Sequence, residues 1–373
     1  MKRSMAIVFV MSVMTGVLAM TAVLPARAAA ADPKAVKPIE LKFAHFQPPS
    51  SYVSVNFLAP WAKKVEEACK GKVKVTVYPA ETLVNQRETV TGVEMGMADI
   101  GWVSEANVKG RFPVSEVTGL SFQGLTRGKD SETGRMLGSS EANSLIFWEL
   151  YNSVPAMQKE HASVKVLFVH ATESFYIYTS KKPVRNLNDL KGLKLRASAG
   201  VLANTAKLLG AVPVTLPFSE IYDAGQKGVI DGQVGNIGHL INARLYELFR
   251  YQTDIYLCTA NMFSMIMNLD RWNKLPKDVQ DGIMNVSGKQ GAIMAGREGY
   301  GPGLGVELEK VTKAGNYKVE EVTADPGEEQ KWKDLAGKPQ WDKWIADIEA
   351  KGLPGRDTFN KLQQITDKYR IKK

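Results

Sequence analysis

Few residues in this chain have the type and placement to do chemistry, and the most telling is an arginine. Arg196 closes a strand-like segment, residues 193–197, just before a turn that leads into an apolar helical pattern. In layered α/β folds an arginine there points from the carboxyl end of the sheet into the cleft where ligands bind. Its planar fork can hold a carboxylate through two parallel hydrogen bonds, which Lys194 could not reproduce. For a lone arginine, a surface ion pair remains the plainer reading. Enzyme signatures are missing: there is no Gly-x-Ser-x-Gly elbow and no His-Glu-x-x-His helix. Gly282 to Lys289 fails the phosphate-loop spacing, because five residues separate Gly282 from Gly288 and Gln290 follows the lysine. Glu66 and Glu67 read as a solvated helix face, and His161, His170 and His239 as structural. Two cysteines and four scattered histidines do not make a structural zinc site, and no cofactor is expected. Cys69 and Cys258 fit either one disulfide or two unpaired thiols.

The elements that would position Arg196 alternate. Residues 40–45, 73–78, 99–103, 164–170 and 175–179 read as strands, as do 193–197, 212–216 and 229–233. Between them, Phe57, Leu58, Trp61, Ala62, Val65, Ala68 and Cys69 recur at helical spacing, and Gly71 can end that helix. Residues 88–97, 187–190, 201–209 and 219–226 continue the helical rhythm, and from Lys274 onward the chain is mostly helical. Breaks fall at Asp325-Pro326-Gly327 and Leu353-Pro354-Gly355. The alternation predicts an α/β layered fold with mainly parallel sheets, and the length favours two lobes.

The first residues address the chain. Lys2 and Arg3 precede an uncharged apolar run, residues 6–24, then Pro25 and a small-x-small site at Ala26-Arg27-Ala28, with Ala28-Ala29-Ala30 as an alternative. This predicts a cleaved signal peptide over residues 1–28 and a periplasmic protein; an uncleaved anchor is the competing reading. No cysteine near the cleavage site could carry a lipid. Cleavage removes Lys2, Arg3 and Arg27 and no acid, so the net charge falls from +9 to +6. No basic stripe with interleaved aromatics accompanies it, which argues against nucleic acid, whereas a modest positive excess suits small anions.

Residues 182–233 carry the most specific pattern. They contain Asp189-Leu190-Lys191-Gly192-Leu193-Lys194-Leu195-Arg196, then Leu209-Gly210-Ala211-Val212-Pro213-Val214-Thr215-Leu216-Pro217-Phe218-Ser219-Glu220-Ile221-Tyr222-Asp223-Ala224, then Gly228-Val229-Ile230-Asp231-Gly232-Gln233. Leu41-Lys42-Phe43-Ala44-His45, Tyr78-Pro79-Ala80, Gly96-Met97-Ala98-Asp99-Ile100-Gly101 and Leu275-Pro276-Lys277-Asp278-Val279-Gln280 agree with the same pattern. The chain thereby resembles the solute-binding proteins of TRAP (tripartite ATP-independent periplasmic) transporters, of the C4-dicarboxylate-binding type. The resemblance implies a two-lobed periplasmic binding protein with crossover strands and a long helix bridging both lobes. It places lobe I at 38–172 plus 261–300 and lobe II at 173–260 plus 301–373. It also implies that no reaction is catalysed.

Residue by residue, the resemblance makes Arg196 the carboxylate-binding arginine and Phe218 the aromatic that packs on the ligand. Glu220, Tyr222, Asp231 and Gly232 match motif positions read as structural. The family's ligand-binding asparagine falls on Gly235, and either Asn236 beside it takes over the amide role after a one-residue shift or that contact is lost. Where sialic-acid receptors of the family carry a second arginine, this chain has Tyr176. Phe46, Trp102 and Phe175 stand at further pocket positions, and core packing is an equal reading for each ring. His45, Ser104 and Glu105 are weaker first-lobe candidates, and an inward Glu105 would repel a second carboxylate. The implied ligand is a small organic acid, a monocarboxylate with a hydroxylated, keto or aromatic body. The implied partners are the small and large integral membrane subunits of the transporter. A sensing receptor and an extracytoplasmic enzyme acting on organic acids are the rival readings.

Overall fold

The computed structural model describes residues 37–371 except 109, 199, 258 and 259. The predicted signal peptide and Cys258 lie outside the described residues. Strands β1 (Ile39–Ala44), β2 (Val73–Tyr78), β3 (Ile100–Ser104), β6 (Val164–Ala171) and β12 (Met262–Asn268) form one sheet, in the order β2-β1-β3-β12-β6. β4 (Arg127–Lys129) and β5 (Met136–Gly138) make a separate hairpin. A second sheet runs β13-β11-β7-β10-β8-β9, from β7 (Tyr176–Thr179), β8 (Lys194–Arg196), β9 (Val212–Val214), β10 (Gly232–Gly235), β11 (Tyr251–Thr253) and β13 (Glu320–Val322). The two sheets give the two lobes of an α/β fold.

The expectation of mainly parallel sheets needs correction, because both sheets are mixed. β1 pairs in parallel with β2 and β3, and β8 with β9 and β10. However, β12 runs antiparallel to β3 and β6, and β7 antiparallel to β10 and β11. β6 and β7 are joined by only residues 172–175, so the chain passes from one sheet to the other without a helix. Such a passage need not produce the right-handed parallel crossover that the alternating pattern favours.

Local sequence explains the elements that flank the cleft. The helix Ala59–Ala68 buries Trp61, Ala62 and Val65 against the first sheet and ends at Gly71, whose φ of +73° suits glycine. β3 is buried along its whole length, as a strand covered on both faces must be. Helix Val201–Leu208 packs Leu202 and Ala206 into the core around Leu195 and Val234.

The bridging helix comes in pieces. Gly288–Met294 continues as wider turns over Ala295–Gly299, and after Tyr300, Gly301 and Pro302 the helix resumes as Gly303–Gly315. The first piece packs on β6, the last on the second-lobe helix Ile237–Asn242. Of the C-terminal helices, Glu328–Ala336 places Trp332 in the core around Leu195. Lys338–Glu349 and Gly355–Tyr369 instead pack Trp344, Ile345, Phe359 and Ile365 with Phe147 and Val166, beside the first sheet. Residues 338–369 thus share their core with the segment that the sequence assigns to lobe I. The amphipathic face of each helix dictates burial but not which sheet receives it.

Candidate functional site

Arg196 ends β8, where its neighbours across the sheet are Gln233 of β10 and Val214 of β9. Although an arginine, it is only 4% exposed. Its Nε and Nη2 donate to the Leu216 carbonyl oxygen at 3.3 and 3.1 Å, while Nη1 is buried without a partner. Burial pulls its pKa down to about 10. A buried guanidinium without a carboxylate is costly, so this one is suited to receive an anion.

The cleft it lines holds about 450 Å³ of empty space, part of it open to solvent. Phe218 lies on its wall with the ring 5.2 Å from that of His239, and Phe175 meets the same imidazole edge-on at 5.7 Å. Burial, and then the Arg196 charge, push the His239 pKa down to about 3, so the imidazole is neutral. Asn236 also lines the cleft, with its side-chain oxygen accepting the His239 amide at 2.9 Å as the cap of helix Ile237–Asn242. Gly235 is buried beside it. A Cβ there would come within 2.8 Å of both the Gln233 side chain and His239 Nδ1, so glycine makes room for these groups. From the first lobe come Phe46 and Ser104, the latter accepting from the Asn107 amide at 3.0 Å.

Other predicted site residues lie elsewhere. Trp102 is fully buried behind the cleft, stacked on Phe263 at 4.5 Å and Phe46 at 5.0 Å, and donates to His170 Nε2 at 2.9 Å. Phe175 belongs to the second-lobe core. His45 is buried against Phe43, and burial lowers its pKa to about 4. Tyr176 faces a different cavity, with Glu173, Tyr256 and Tyr300, its ring 4.8 Å from that of Tyr256. Glu105 lines a neighbouring chamber and lies 2.9 Å from His161 Nε2. Cys69 is a buried free thiol whose Sγ contacts the Val279 carbonyl at 3.6 Å.

The sequence profile described as "Bacterial extracellular solute-binding protein, family 7" matches residues 43–346. The chain belongs to this family. The C4-dicarboxylate-binding periplasmic protein DctP of Rhodobacter capsulatus is 26% identical over 324 residues, 81% of this chain and 86% of its own length. Among solved structures, a TRAP periplasmic solute-binding protein from Desulfovibrio salexigens is 33% identical with a TM-score of 0.75, covering 90% of this chain and 98% of its own; it is an open complex with the C-terminus of a symmetry mate in its ligand-binding site. A marine metagenome TRAP solute-binding protein specific for aromatic acid ligands, in complex with metahydroxyphenylacetate, is 27% identical with a TM-score of 0.79, covering 89% of this chain and all of its own.

As a TRAP-type solute-binding receptor, the chain belongs to a class that binds rather than transforms its ligand. The family is periplasmic, and among the described residues no helix is long and apolar enough to cross a membrane. Sequence reasoning missed several polar groups of this receptor cleft: Gln47, Gln86, Asn107, Thr172, Ser198 and Asn261. Thr172 and Asn261 sit where the chain passes between the sheets and are tied together, each backbone N–H donating to the other residue at 3.2 Å. The one available signal was position, just outside the ends of strands. His239, read as structural, also lines the cleft.

Proposed function

We propose that this receptor captures an organic monocarboxylate between its lobes, holds the carboxylate through Arg196, and delivers the ligand to the small and large membrane subunits of a TRAP transporter. The observation that carries the reading is the buried, unpartnered Nη1 of Arg196 on the cleft wall. A carboxylate there supplies the missing charge and acceptor. Closure of lobe I (38–172 with 261–300) on lobe II would exclude water and strengthen those hydrogen bonds. The rings of Phe46, Phe218 and Phe263 favour an aromatic or otherwise apolar body, in line with the aromatic acid bound by the marine relative. The test is calorimetry of the mature protein against benzoate, mandelate, succinate and fumarate. Binding of a monocarboxylate that Arg196→Ala abolishes is the expected result; preference for succinate or fumarate over every monocarboxylate refutes the ligand class. Uptake into vesicles containing the membrane subunits, dependent on added receptor, tests delivery.

A further inference from the structure

A second chamber opens beside the ligand cleft. It shares Ser198 and Asn261 with the cleft, and its empty space, open in part to solvent like that of the cleft, is about 980 Å³ against about 450 Å³. Its walls also differ in kind. The cleft mixes amides and hydroxyls with the rings of Phe46, Phe218 and Phe263 around Arg196, whereas the chamber is walled mainly by Val108, Phe112, Val201, Leu202 and Met262. Among its described lining residues the ionisable ones are Glu105 and Glu116, both acids.

Glu105 is 8% exposed, and its two oxygens are unequally engaged. Oε1 lies 2.9 Å from His161 Nε2, while Oε2 is buried without a partner. The pair is held in place from the far side. His161 Nδ1 is 2.8 Å from the Met157 carbonyl, which can only accept, so Nδ1 carries a proton. Phe112 stacks on the same ring at 4.3 Å. Burial alone would lower the His161 pKa, but Glu105, the Met157 carbonyl and the Glu160 charge together outweigh it, so the imidazole is held more basic than usual. That leaves a fixed carboxylate on the chamber wall with one oxygen lacking a donor, a costly state unless something supplies one.

We propose that the chamber receives the body of the bound acid, and that Glu105 accepts a hydrogen bond from a hydroxyl or ammonium at the ligand's far end. This rests on the carboxylate role of Arg196. The ligand class narrows to a monocarboxylate with an extended apolar or aromatic body that ends in a hydrogen-bond donor. A second carboxylate is disfavoured there, since it would meet two acids in an apolar surround.

The experiment is calorimetry of the mature wild-type protein with benzoate, phenylpropanoate and the para-hydroxy, para-methoxy and para-carboxy derivatives of phenylpropanoate. The hydroxy compound should bind about tenfold or more tightly than the methoxy compound, as one hydrogen bond to a charged group warrants, and the carboxy compound should bind worst. Glu105→Gln offers both a donor and an acceptor, and should bring hydroxy and methoxy compounds within about twofold of each other. Val201→Trp, which narrows the chamber, should weaken phenylpropanoate and spare benzoate. If benzoate binds through Arg196 but the hydroxyl gains nothing over the methoxy group, the chamber role is overturned and the carboxylate reading stands. If none of these acids binds, both fall. The wild-type series decides the matter even if a variant fails to fold.

Discussion

Arg196 and Leu216 are joined by a forked contact in which Nε and Nη2 of the guanidinium both donate to one carbonyl oxygen, at 3.3 and 3.1 Å. Leu216 follows β9 and leads into the turn that carries Phe218. The arginine is therefore fixed by the backbone that also places the cleft's aromatic wall.

Two consequences of that contact separate affinity from stability. Arg196→Lys keeps a charge but cannot fork onto Leu216 and still present a free nitrogen. Benzoate affinity should fall about a hundredfold or more in Arg196→Ala and nearly as far in Arg196→Lys. Arg196→Met should also lose binding, yet melt at or above the wild-type temperature, because it removes a buried cation that no carboxylate balances. Calorimetry and thermal melts read the two effects, and wild-type affinity in the Met variant would sink the assignment.

Gly232 is a matter of space rather than backbone freedom. A Cβ at this position would lie 2.1 Å from the Tyr178 carbonyl oxygen and 3.0 Å from the Thr179 Cα, both on the paired strand β7. Backbone cannot step aside as a flexible side chain can. Gly232→Ala should cost about 3 kcal/mol or more and depress soluble yield. Gly228→Ala is the contrast: its φ is +70° with open space around it, so the expected cost is about 1 kcal/mol of backbone strain. Chemical denaturation of both variants checks the order.

Much of this was legible in the residues. Val73–Tyr78 alternates so regularly that its bounds follow from the sequence, and Asn186-x-x-Asp189 forms the capping box that starts Leu187–Leu190. Arg196 announced itself by its type at a strand end. Strand direction was not legible, since antiparallel β12 is buried on both faces and mostly apolar, as a parallel strand would be. Nor did the sequence separate Trp102 or Phe175 from cleft residues. A ring that lines a pocket and a ring just behind it satisfy the same pattern, and only the fold decides between Phe46 and Trp102.

Glu173 lies between β6 and β7, where the chain changes sheets. Its Oε1 accepts the Gly238 amide at 2.8 Å and its Oε2 is buried without a partner. Burial raises its pKa from 4.5 to about 7 despite that amide. Burial raises the phenol pKa values of Tyr176, Tyr178 and Tyr300, and the nearby Glu173 charge adds to each rise. A carboxyl whose folded pKa is raised binds its proton more tightly in the native state. Its favourable contribution is full below pH 4.5 and is lost as pH rises through about 7. Glu173→Gln keeps an acceptor for Gly238 and never ionises. It should match wild type near pH 4 and be more stable near pH 8, by roughly 3 kcal/mol at most. Equal differences at both pH values in denaturant titrations would contradict the buried-acid account.

Tyr176 and His239 offer the sharpest test of where the cleft ends. Tyr176 stands directly across from Gly235 in the β7–β10 pairing, yet it lines the Glu173 cavity rather than the Arg196 cleft. Tyr176→Phe removes only a hydroxyl from that second cavity, so benzoate affinity should change less than about twofold, within the range of a substitution away from the binding contacts. His239 lies in the cleft wall but is held neutral, with its pKa at about 3. Its folded pKa is depressed, so any protonation penalty falls on acid solutions below its ordinary value of 6.5, and it gains no charge on the cleft side in the neutral range. Benzoate binding should therefore show no inflection near pH 6.5 that depends on His239, of the kind a titrating imidazole produces. An affinity step near pH 6.5 that His239→Gln removes would show instead that the imidazole charges beside Arg196 and shares the carboxylate with it.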